Sequence, residues 1–499
     1  MTRFLRVLHP NITHRHARLG TLAAISLLTA CAGFQPVAPQ VKPLDSLALG
    51  DRANVAQSVD AWPQDGWWIA FGDAQLNQLM QHALDNSPTL AVAQARIVRA
   101  QAAANLVRSS SAPQLNAGVD LSYGRQSENY LIPRPPLGKG GEYFSQGQAA
   151  LNFGYDLDLW GKNDALIRSA QAQLNSANFD RDAARLALTS SVARAYAQLA
   201  AQYELQDILL ATQDQRRAIH RLVNQRVANG LDTQVEVKQA ETNEAALRIE
   251  LEQLVTSIKV TRLQVTALVG DMPAAAETIK RPTLKAVPFA VPATLPLDLL
   301  GRRPELAAQR AHIVAAIGEA EAAKAQFYPN VNLNALIGFQ SIGLGELLTS
   351  GSLINSVGPA IRLPIFDGGR LHANYAAKAS DIDAAVAQYN QSVLTAAQDV
   401  AEQLTRVADL SREEAAAQEA LAAAEEAHRL AMLRYKGGLS PYLTVLTVET
   451  QLLAQRRALA NIRARRDDLH IGLIRALGGG FSDDARAPQL SSVQQSQKQ

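Results

Sequence analysis

The hydrophobic and polar positions of this chain follow two different periods, and each period occurs twice. Residues 162–229 and 370–437 contain no proline, and no glycine except the last residue of the second stretch. Both are rich in alanine, leucine, glutamine, arginine and glutamate, which are strong helix formers. Each stretch therefore predicts one unbroken helix, about 100 Å long at 1.5 Å per residue. In the second stretch, apolar residues recur at steps of three and four, a coiled-coil seam formed by Ile382, Val386, Tyr389, Val393, Ala396, Val400, Leu404 and Val407.

Ahead of each long helix, the period changes to two. After Pro113, apolar residues alternate with small and polar ones as far as Tyr123, and a returning segment alternates up to Leu159. A second pair of alternating segments begins at Val331 and Val357. Each is close to the length, about 9–11 residues, with which a tilted β-strand crosses a bilayer. We therefore predict two hairpins with one apolar face and one polar face, and the polar face would line a barrel lumen with Gln148, Asn152, Asp156, Asp158 and Arg362.

The second half of the chain repeats the first. The prolines that open and end a shorter helix lie 216 residues apart in the two halves, and the glycines that bracket the long helix lie 208 apart. The difference of eight residues therefore falls in the hairpins, as expected for an exposed loop. The equivalent pairs are Pro88/Pro304, Pro113/Pro329, Gly161/Gly369 and Gly230/Gly438.

The four predicted strands constrain the assembly. Ordinary amphipathic hairpins on a soluble core are one interpretation of the alternation. If the strands instead lie in a membrane, four of them cannot close a barrel, and membrane strands leave no open edge. The chain must then oligomerise through its sheet. Two copies would give a barrel filled by side chains, whereas three copies would give about twelve strands, enough to hold water.

The amino terminus favours the membrane interpretation. All four charged residues among the first thirty are arginines, and residues 19–30 form an apolar stretch typical of a secretory signal. Cys31, the only cysteine, follows Leu28-Thr29-Ala30. This Leu-x-Ala-Cys pattern resembles a bacterial lipoprotein signal, which implies an acylated Cys31. Ala32, where an aspartate would suggest retention in the inner membrane, points to the outer membrane. The alternative is a chance buried cysteine.

Composition and charge mainly exclude certain classes of structure and function. No run of 18 apolar residues offers a transmembrane helix. The net charge is +2, and without the four signal arginines 44 basic residues face 46 acidic ones, so nothing favours nucleic acid as a partner. No recognised catalytic motif is present, and a single cysteine excludes a Cys-x-x-Cys metal site. We therefore predict a protein that is not an enzyme and has no cofactor other than a covalent lipid on Cys31.

The order of these parts resembles the TolC-like outer-membrane efflux channels, specifically the lipidated NodT/OprM type, over the whole mature chain. The resemblance implies a mainly α fold with membrane β structure: a homotrimer whose twelve-stranded transmembrane β-barrel continues into a periplasmic α-barrel of long antiparallel helices. It also implies work with a periplasmic adaptor protein and an inner-membrane pump of the RND type. Besides the lipoprotein signal, the motifs that carry it are residues 68–73 (WIAFGD), 86–90 (NSPTL), 157–162 (LDLWGK), 302–306 (RRPEL) and 327–329 (FYP).

The turns after the long helices match the periplasmic tip of that family, where the adaptor docks and the pore narrows. The residues concerned are Gly230, Leu231, Gly438 and Leu439. From the sequence alone, glycine past a helix end is the standard stop, and Asp232 or Ser440 can cap the next helix. Related channels carry a carboxylate where this chain has Thr447. The candidates for the constriction are therefore Leu443, Thr447, Glu449, Asp232 and Glu236, although solvated helix-face charges remain the default interpretation of the carboxylates.

Two other functions fit parts of the pattern. A lipid-anchored periplasmic coiled-coil or adaptor protein without a pore would explain the helices and the lipid but not the four strands. An outer-membrane exit duct for protein secretion would share every feature with a channel for small molecules. The sequence therefore predicts an efflux channel without identifying its substrate.

The patterns divide the chain into six segments. Residues 1–30 form the signal peptide, 31–86 a lipidated tether with a short helix, 273–298 a linker and 481–499 a polar tail predicted to be disordered. The first repeat covers residues 87–272, with strands at about 114–125 and 146–159 and the helix at 162–229; the second covers 299–480, with strands at about 330–340 and 356–366 and the helix at 370–437.

Overall fold

The computed structural model describes residues 37–44, 63–125, 127, 141, 143–287 and 302–482. The predicted signal peptide, Cys31 and nearly all of the tail lie outside these residues, as do residues 31–36 and 45–62 of the tether and part of the linker. The helices are α1 (Ala74–Asn86), α2 (Pro88–Ser110), α3 (Lys162–Ala228), α4 (Gln234–Val269), α5 (Pro304–Ala325), α6 (Arg370–Lys436) and α7 (Tyr442–Ala476). The strands are β1 (Gln114–Arg125), β2 (Tyr143–Leu157), β3 (Asn330–Ile342) and β4 (Leu353–Arg362).

The chain divides into two compact parts. The sheet part comprises residues 99–174 and 311–387 together with residues 37–42, and the helical part comprises residues 43–98, 175–310 and 388–482, as far as they are described. In the described residues, no helix contains an 18-residue window apolar enough to cross a membrane.

The sheet is antiparallel, with the strands in the order of the sequence. Its register is regular from end to end: Gln114 pairs with Gly154, Gly154 with Asn334, and Asn334 with Gly358. Because every pairing joins residues of the same parity, all odd-numbered positions share one face and all even-numbered positions the other. The odd face is apolar and includes Leu115, Val119, Leu151, Phe153, Leu333, Ile337, Phe339, Val357 and Ile361.

The strand ends differ from the predicted bounds. β2 begins earlier and ends at Leu157, so Asp158, predicted on the polar face, lies beyond the strand. Its carboxylate instead accepts the backbone N–H of Asp164, at 2.9 Å, in the first turn of α3. β4 ends at Arg362 rather than near residue 366, because Pro364 has no N–H to continue a ladder. Phe366, which follows, is 92 % exposed.

The long helices α3 and α6 each run for 67 residues without interruption. Most of the predicted seam of α6 is buried, including Val386, Val393 and Val400. Each helix begins one residue after a glycine with positive φ, Gly161 at 70° and Gly369 at 86°. A glycine with positive φ therefore precedes both helices, as the repeat predicts.

The core of the helical part includes the segment WIAFGD, residues 68–73. Trp68 and Phe71 are buried against α1, α3 and α7. The carboxylate of Asp73 caps α1 by accepting the N–H of Gln75, and it also accepts the hydroxyl of Tyr196 at 2.9 Å and the N–H of Thr283 at 2.7 Å. Burial opposes ionisation here, but these hydrogen bonds outweigh it and lower the pKa of Asp73.

Candidate functional site

The two turns that end α3 and α6 have the same geometry. Gly230 and Gly438 adopt φ values of 69° and 73°. In each turn the glycine N–H donates to the carbonyl three residues back, and the next N–H, of Leu231 or Leu439, donates five residues back, at 2.9 and 2.8 Å. This is the Schellman ending, in which only glycine adopts the left-handed conformation without strain. The predicted stop signals therefore form the turns for which they are typical.

Each turn presents two exposed apolar side chains at equivalent positions. Leu231 and Leu439 are 62 % and 73 % exposed, and four residues further on, Val235 and Leu443 are 61 % and 60 % exposed. Members of each pair lie 208 residues apart, which is the spacing of the repeat. The two tips therefore expose an equivalent pair of apolar side chains.

Asp232 does not lie free in solution, contrary to the default interpretation, nor does it cap α4. Its side chain is 9 % exposed and binds the guanidinium of Arg226, with Nε to Oδ2 at 2.8 Å. The hydroxyl of Tyr435, in the other hairpin, donates to the same carboxylate. Arg226 also lies over the Tyr435 ring, 4.5 Å from its centroid. Asp232 therefore fastens the end of α3 to the end of α6, instead of offering its charge to a pore.

The electrostatics of this cluster favour the ion pair. Burial opposes ionisation of Asp232, but the hydrogen bonds from Arg226 and Tyr435 outweigh it, so the pKa of this carboxyl is lowered. Burial, together with the hydrogen bond to Asp232, raises the pKa of the Tyr435 hydroxyl. Tyr435 thus stays protonated and keeps donating throughout the ordinary pH range.

Glu236 belongs to a capping box. Thr233, rather than the expected Asp232, is the N-cap of α4, and the Glu236 carboxylate accepts the Thr233 N–H at 2.8 Å. The hydrogen bond from the Thr233 hydroxyl is the largest of the causes that lower the pKa of the Glu236 carboxyl. In the second tip, Pro441 is the N-cap of α7 and no side chain caps it, so the expected capping by Ser440 is wrong. The second helix start relies on the fixed φ of proline instead.

Glu449 is the most buried of the constriction candidates, with its side chain 2 % exposed. It binds Arg216 of α3, whose side chain is 12 % exposed, with Nε to Oε1 at 2.8 Å. Arg216 also donates to the backbone carbonyl of Asn243 in α4 at 2.7 Å. One guanidinium therefore joins α3, α4 and α7, and Glu449 has an internal role rather than a place on a pore surface.

Leu443 and Thr447 are the constriction candidates that remain exposed. They lie one turn apart on α7, and the Thr447 hydroxyl donates to the Leu443 carbonyl at 2.9 Å. Sequence reasoning missed Arg226, Arg216 and Tyr435, although basic and aromatic residues close to the turns were a visible signal for partners of the carboxylates. At the tips, the three candidate carboxylates are all engaged within the subunit.

The polar face of the sheet brings together four of the five residues predicted for it: Gln148, Asn152, Asp156 and Arg362. Asp156 binds Lys162 at 3.0 Å, at the start of α3. No group of three or more histidine, cysteine, aspartate or glutamate side chains that could hold a metal ion occurs within the part of the chain that the structure describes.

Known proteins give the family directly. The family model described as "Outer membrane efflux protein" matches residues 79–271 and 295–479. The multidrug resistance outer membrane protein MdtP of Escherichia coli K12 is 34 % identical over 472 residues, covering 92 % of this chain and 95 % of that protein. The fusaric acid resistance protein FusA of Burkholderia cepacia is 34 % identical over 375 residues, covering 72 % and 70 %.

Solved structures agree with this match. The outer membrane protein VceC of Vibrio cholerae is 37 % identical, with a TM-score of 0.79, covering 84 % of this chain and all of that one (100 %). The outer-membrane channel OprN is 25 % identical, with a TM-score of 0.77, covering 89 % and 99 %. By sequence and by fold, the chain belongs to the outer membrane efflux protein family.

Proposed function

We propose that this chain is the passive outer-membrane duct of a tripartite efflux assembly, in which three copies form one continuous channel. The observation that carries the proposal is the four-stranded sheet, with one apolar face, one polar face and two unpaired edges, joined to helices of 67 residues. Membership of the efflux family confirms the TolC-like resemblance, the outer-membrane location and the channel class.

The sheet supports a trimer. Its odd face carries large apolar side chains with high exposure, such as Val119 at 68 % and Val357 at 78 %, which suit lipid. Its even face carries amides, glycines and a few charges, which suit water. Because β1 and β4 have no neighbouring strand among the described residues, each edge needs another copy. Three four-stranded sheets give about twelve strands, wide enough for an aqueous lumen.

The tips are the proposed docking surface for the periplasmic adaptor. Leu231 and Leu439 are exposed at equivalent positions of the two turns, and an adaptor that contacts both tips of every subunit would meet the same chemistry six times around a trimer. An inner-membrane pump of the RND type would then deliver the substrate through the adaptor. The specific pump can be identified from the genes that neighbour the gene for this chain on the chromosome.

At the closed end of the pore, the exposed Leu443 and Thr447 are the proposed constriction. Asp232, Glu236 and Glu449 are held by Arg226, Thr233 and Arg216, so they offer no free carboxylate. A ring of leucine and threonine side chains closes a pore by excluding water instead of by attracting cations.

The substrates are proposed to be small toxic organic molecules. MdtP is named for multidrug resistance and FusA for fusaric acid resistance. The polar face of the sheet is built of short amide and small side chains with little fixed charge, which suits a conduit that transmits chemically different molecules and leaves selection to the pump.

The lipid on Cys31 remains a proposal that the tether geometry supports. The N–H groups of Gln40 and Val41 donate to Asp383 of α6, each at 2.8 Å. Nine residues separate Cys31 from Gln40, so the extended chain reaches about 30 Å. The start of α6 lies thirteen residues before Asp383, or about 20 Å along the helix. A lipid on Cys31 can therefore reach the junction of β4 and α6, and Cys31→Ser should abolish labelling by radioactive palmitate.

The channel is tested by reconstituting the purified full chain in planar bilayers. We expect stepwise conductance and a trimer band on gels that converts to monomer on heating. A monomer that yields no conductance steps would refute the duct.

The docking surface is tested separately by substituting Leu231→Asp together with Leu439→Asp. We expect drug resistance to fall to that of a deletion strain while conductance and trimer yield are kept. The control is Leu348→Asp, which places the same charge on a side chain 77 % exposed in the β3–β4 connection. Full resistance in the tip variant would place docking elsewhere.

A further inference from the structure

Each open edge of the sheet carries a charged side chain that has no oppositely charged partner among the described residues. Asp120 lies on β1 and Arg362 on β4, both on the even, polar face. Both are exposed, and neither side chain makes an ion pair or a hydrogen bond to any residue that the structure describes. The strand carboxylate Asp156 is no partner for Arg362, because it lies two strands away and binds Lys162.

The internal repeat predicts what covers these edges. Its two offsets hold through the strand pairing itself: Gln114 pairs with Gly154, and their equivalents, 216 and 208 residues further on, are Asn330 and Arg362, which also pair. The repeat is therefore a symmetry of the hydrogen-bond register and not only of the sequence. The remaining pairing inside the chain, β2 with β3, then has an equivalent that the single chain cannot make: β4 with β1.

We propose that a second copy docks on this edge in the register that the repeat dictates, with Arg362 forming an ion pair with Asp120 of the partner subunit. Gly154 pairs with Asn334 inside the chain. The equivalent pairing places Arg362 opposite Gly118 of the partner subunit, and Ser356 opposite Gly124 of the partner subunit. This inference rests on the proposed trimeric duct. It adds the residues that meet at the seam, where β4 of one subunit pairs with β1 of the next.

The register brings the two charges within reach. Asp120 lies two residues from Gly118 on the same face, so it is the diagonal neighbour of Arg362, at about 7–8 Å between the strand positions. A long arginine side chain spans that distance, and Gly118 has no side chain to obstruct it. Because all pairs in this register have the same parity, the apolar and polar faces continue across the seam.

The helices beside the sheet give an independent check of the same symmetry. Inside the chain, α5 lies close to α3 at Gly318, where a Cβ would come within 2.8 Å of the Ala165 carbonyl oxygen and 3.0 Å of the Ser169 Cβ. The equivalents of these three residues are Ala102 in α2 and Ala373 and Ala377 in α6. All three are small and exposed. In the proposed register, α2 of one subunit can therefore approach α6 of the other as closely as α5 approaches α3 inside the chain.

Cysteine cross-linking tests the register. The test variant is the full chain with Ser356→Cys and Gly124→Cys, and the control is Ser356→Cys with Gly118→Cys, about 20 Å further along β1. Each cysteine also needs a variant of its own, to exclude cross-links to Cys31. We expect mild oxidation to give covalent dimers and trimers at least about tenfold faster in the test variant, because opposed positions on neighbouring strands suit a disulfide.

Charge exchange tests the ion pair. Asp120→Arg and Arg362→Asp should each lower the temperature at which the trimer band dissociates, and the double variant should restore it. The control is Asp156→Arg, which lies away from the seam. Its effect on the dissociation temperature should not be reversed by Arg362→Asp. Absence of rescue in the seam pair would overturn the ion pair.

The outcomes separate this inference from the duct itself. Conducting trimers that cross-link Ser356→Cys faster to Gly118→Cys than to Gly124→Cys would overturn the register and leave the duct intact. Conducting trimers that cross-link through neither cysteine would also overturn the register. A chain that forms neither trimers nor conductance would refute the duct first.

Discussion

Glu449→Gln should loosen the attachment of the second helical hairpin, formed by α6 and α7, to the first, formed by α3 and α4. Glu449 on α7 is buried, and its carboxylate binds Arg216 on α3 at 2.8 Å. Glutamine keeps the shape and one hydrogen-bond acceptor but removes the charge. Arg216 is then left inside the bundle without its counter-charge, and it keeps its hydrogen bond to the Asn243 carbonyl at 2.7 Å. A buried cation without its counter-charge weakens the folded arrangement of these helices.

The expected cost follows from the burial. Removing one partner of a buried ion pair costs about 3–5 kcal/mol. Arg216 is 12 % exposed and keeps one hydrogen bond, so the lower end, about 3 kcal/mol, is the appropriate magnitude. That free energy corresponds to an opening equilibrium about 10²-fold larger. The effect is local, so it should appear in local opening more clearly than in global unfolding.

Hydrogen exchange of backbone amides in the purified full chain is the direct assay. Amides near residue 449 of α7 should exchange about 10²-fold faster in Glu449→Gln than in the unaltered protein. The matched control is Glu425→Gln, which removes the same charge from an ion pair with Arg456 whose side chains are 52 % and 28 % exposed. An exposed pair contributes about 0–1 kcal/mol, so the control should exchange nearly normally.

A second variant separates the ion pair from simple misfolding. Replacing both partners, with Arg216→Met and Glu449→Met, removes the buried charges together and should recover most of the protection, because an apolar pair carries no desolvation cost. Equal acceleration in Glu449→Gln and Glu425→Gln, or no acceleration in either, would show that this buried pair does not hold the hairpins together.

Two further predictions concern packing and pH. Gly338→Ala should disrupt the β2–β3 pairing and lower trimer yield, because its Cβ would come within 2.3 Å of the Ala149 carbonyl oxygen, whereas Gly154→Ala, whose Cβ would meet only the Asn334 Oδ1 at 3.9 Å, should be harmless. Burial lowers the pKa of His470 to about 4 from the usual 6.5. The unfolded chain therefore takes up that proton first as the pH falls, and the helical part should lose about 2 kcal/mol between pH 6.5 and pH 5. His470→Gln should remove this part of the slope when denaturant unfolding is compared at pH 7 and pH 5.

The architecture was predictable because periodicity and repetition are properties of the sequence itself. A period of two, glycines at matched spacing and prolines at matched spacing placed four strands and two long helices, and the fold class is confirmed. The ends were harder to predict: in the sequence the alternation of β4 continues to Ile365, but Pro364 had already ended the ladder at Arg362.

The roles of the tip carboxylates could not be predicted from position. Glu449 and Glu241 are equivalent residues of the two repeats, 208 residues apart. Glu449 is buried against Arg216, whereas Glu241 is 44 % exposed and binds Lys238 within its own helix. The helical period is the same around both, but the equivalent of Arg216 in α6 is Ala424, so the second repeat offers no arginine at the position that binds Glu449 in the first. Such contacts join residues more than two hundred positions apart, and no local pattern encodes them.

The same comparison indicates how the two repeats divide their work. Duplication supplies the geometry, namely matched turns, matched strand registers and helices of equal length. The differences supply the bonds between the halves. Arg457 and Arg463 of α7 bind Glu250 of α4 and Glu204 of α3, at 2.6 and 3.1 Å. Their equivalents in α4 are Ile249 and Val255, which cannot form such pairs. These two arginines therefore hold the second hairpin to the first from positions at which the first repeat carries apolar residues.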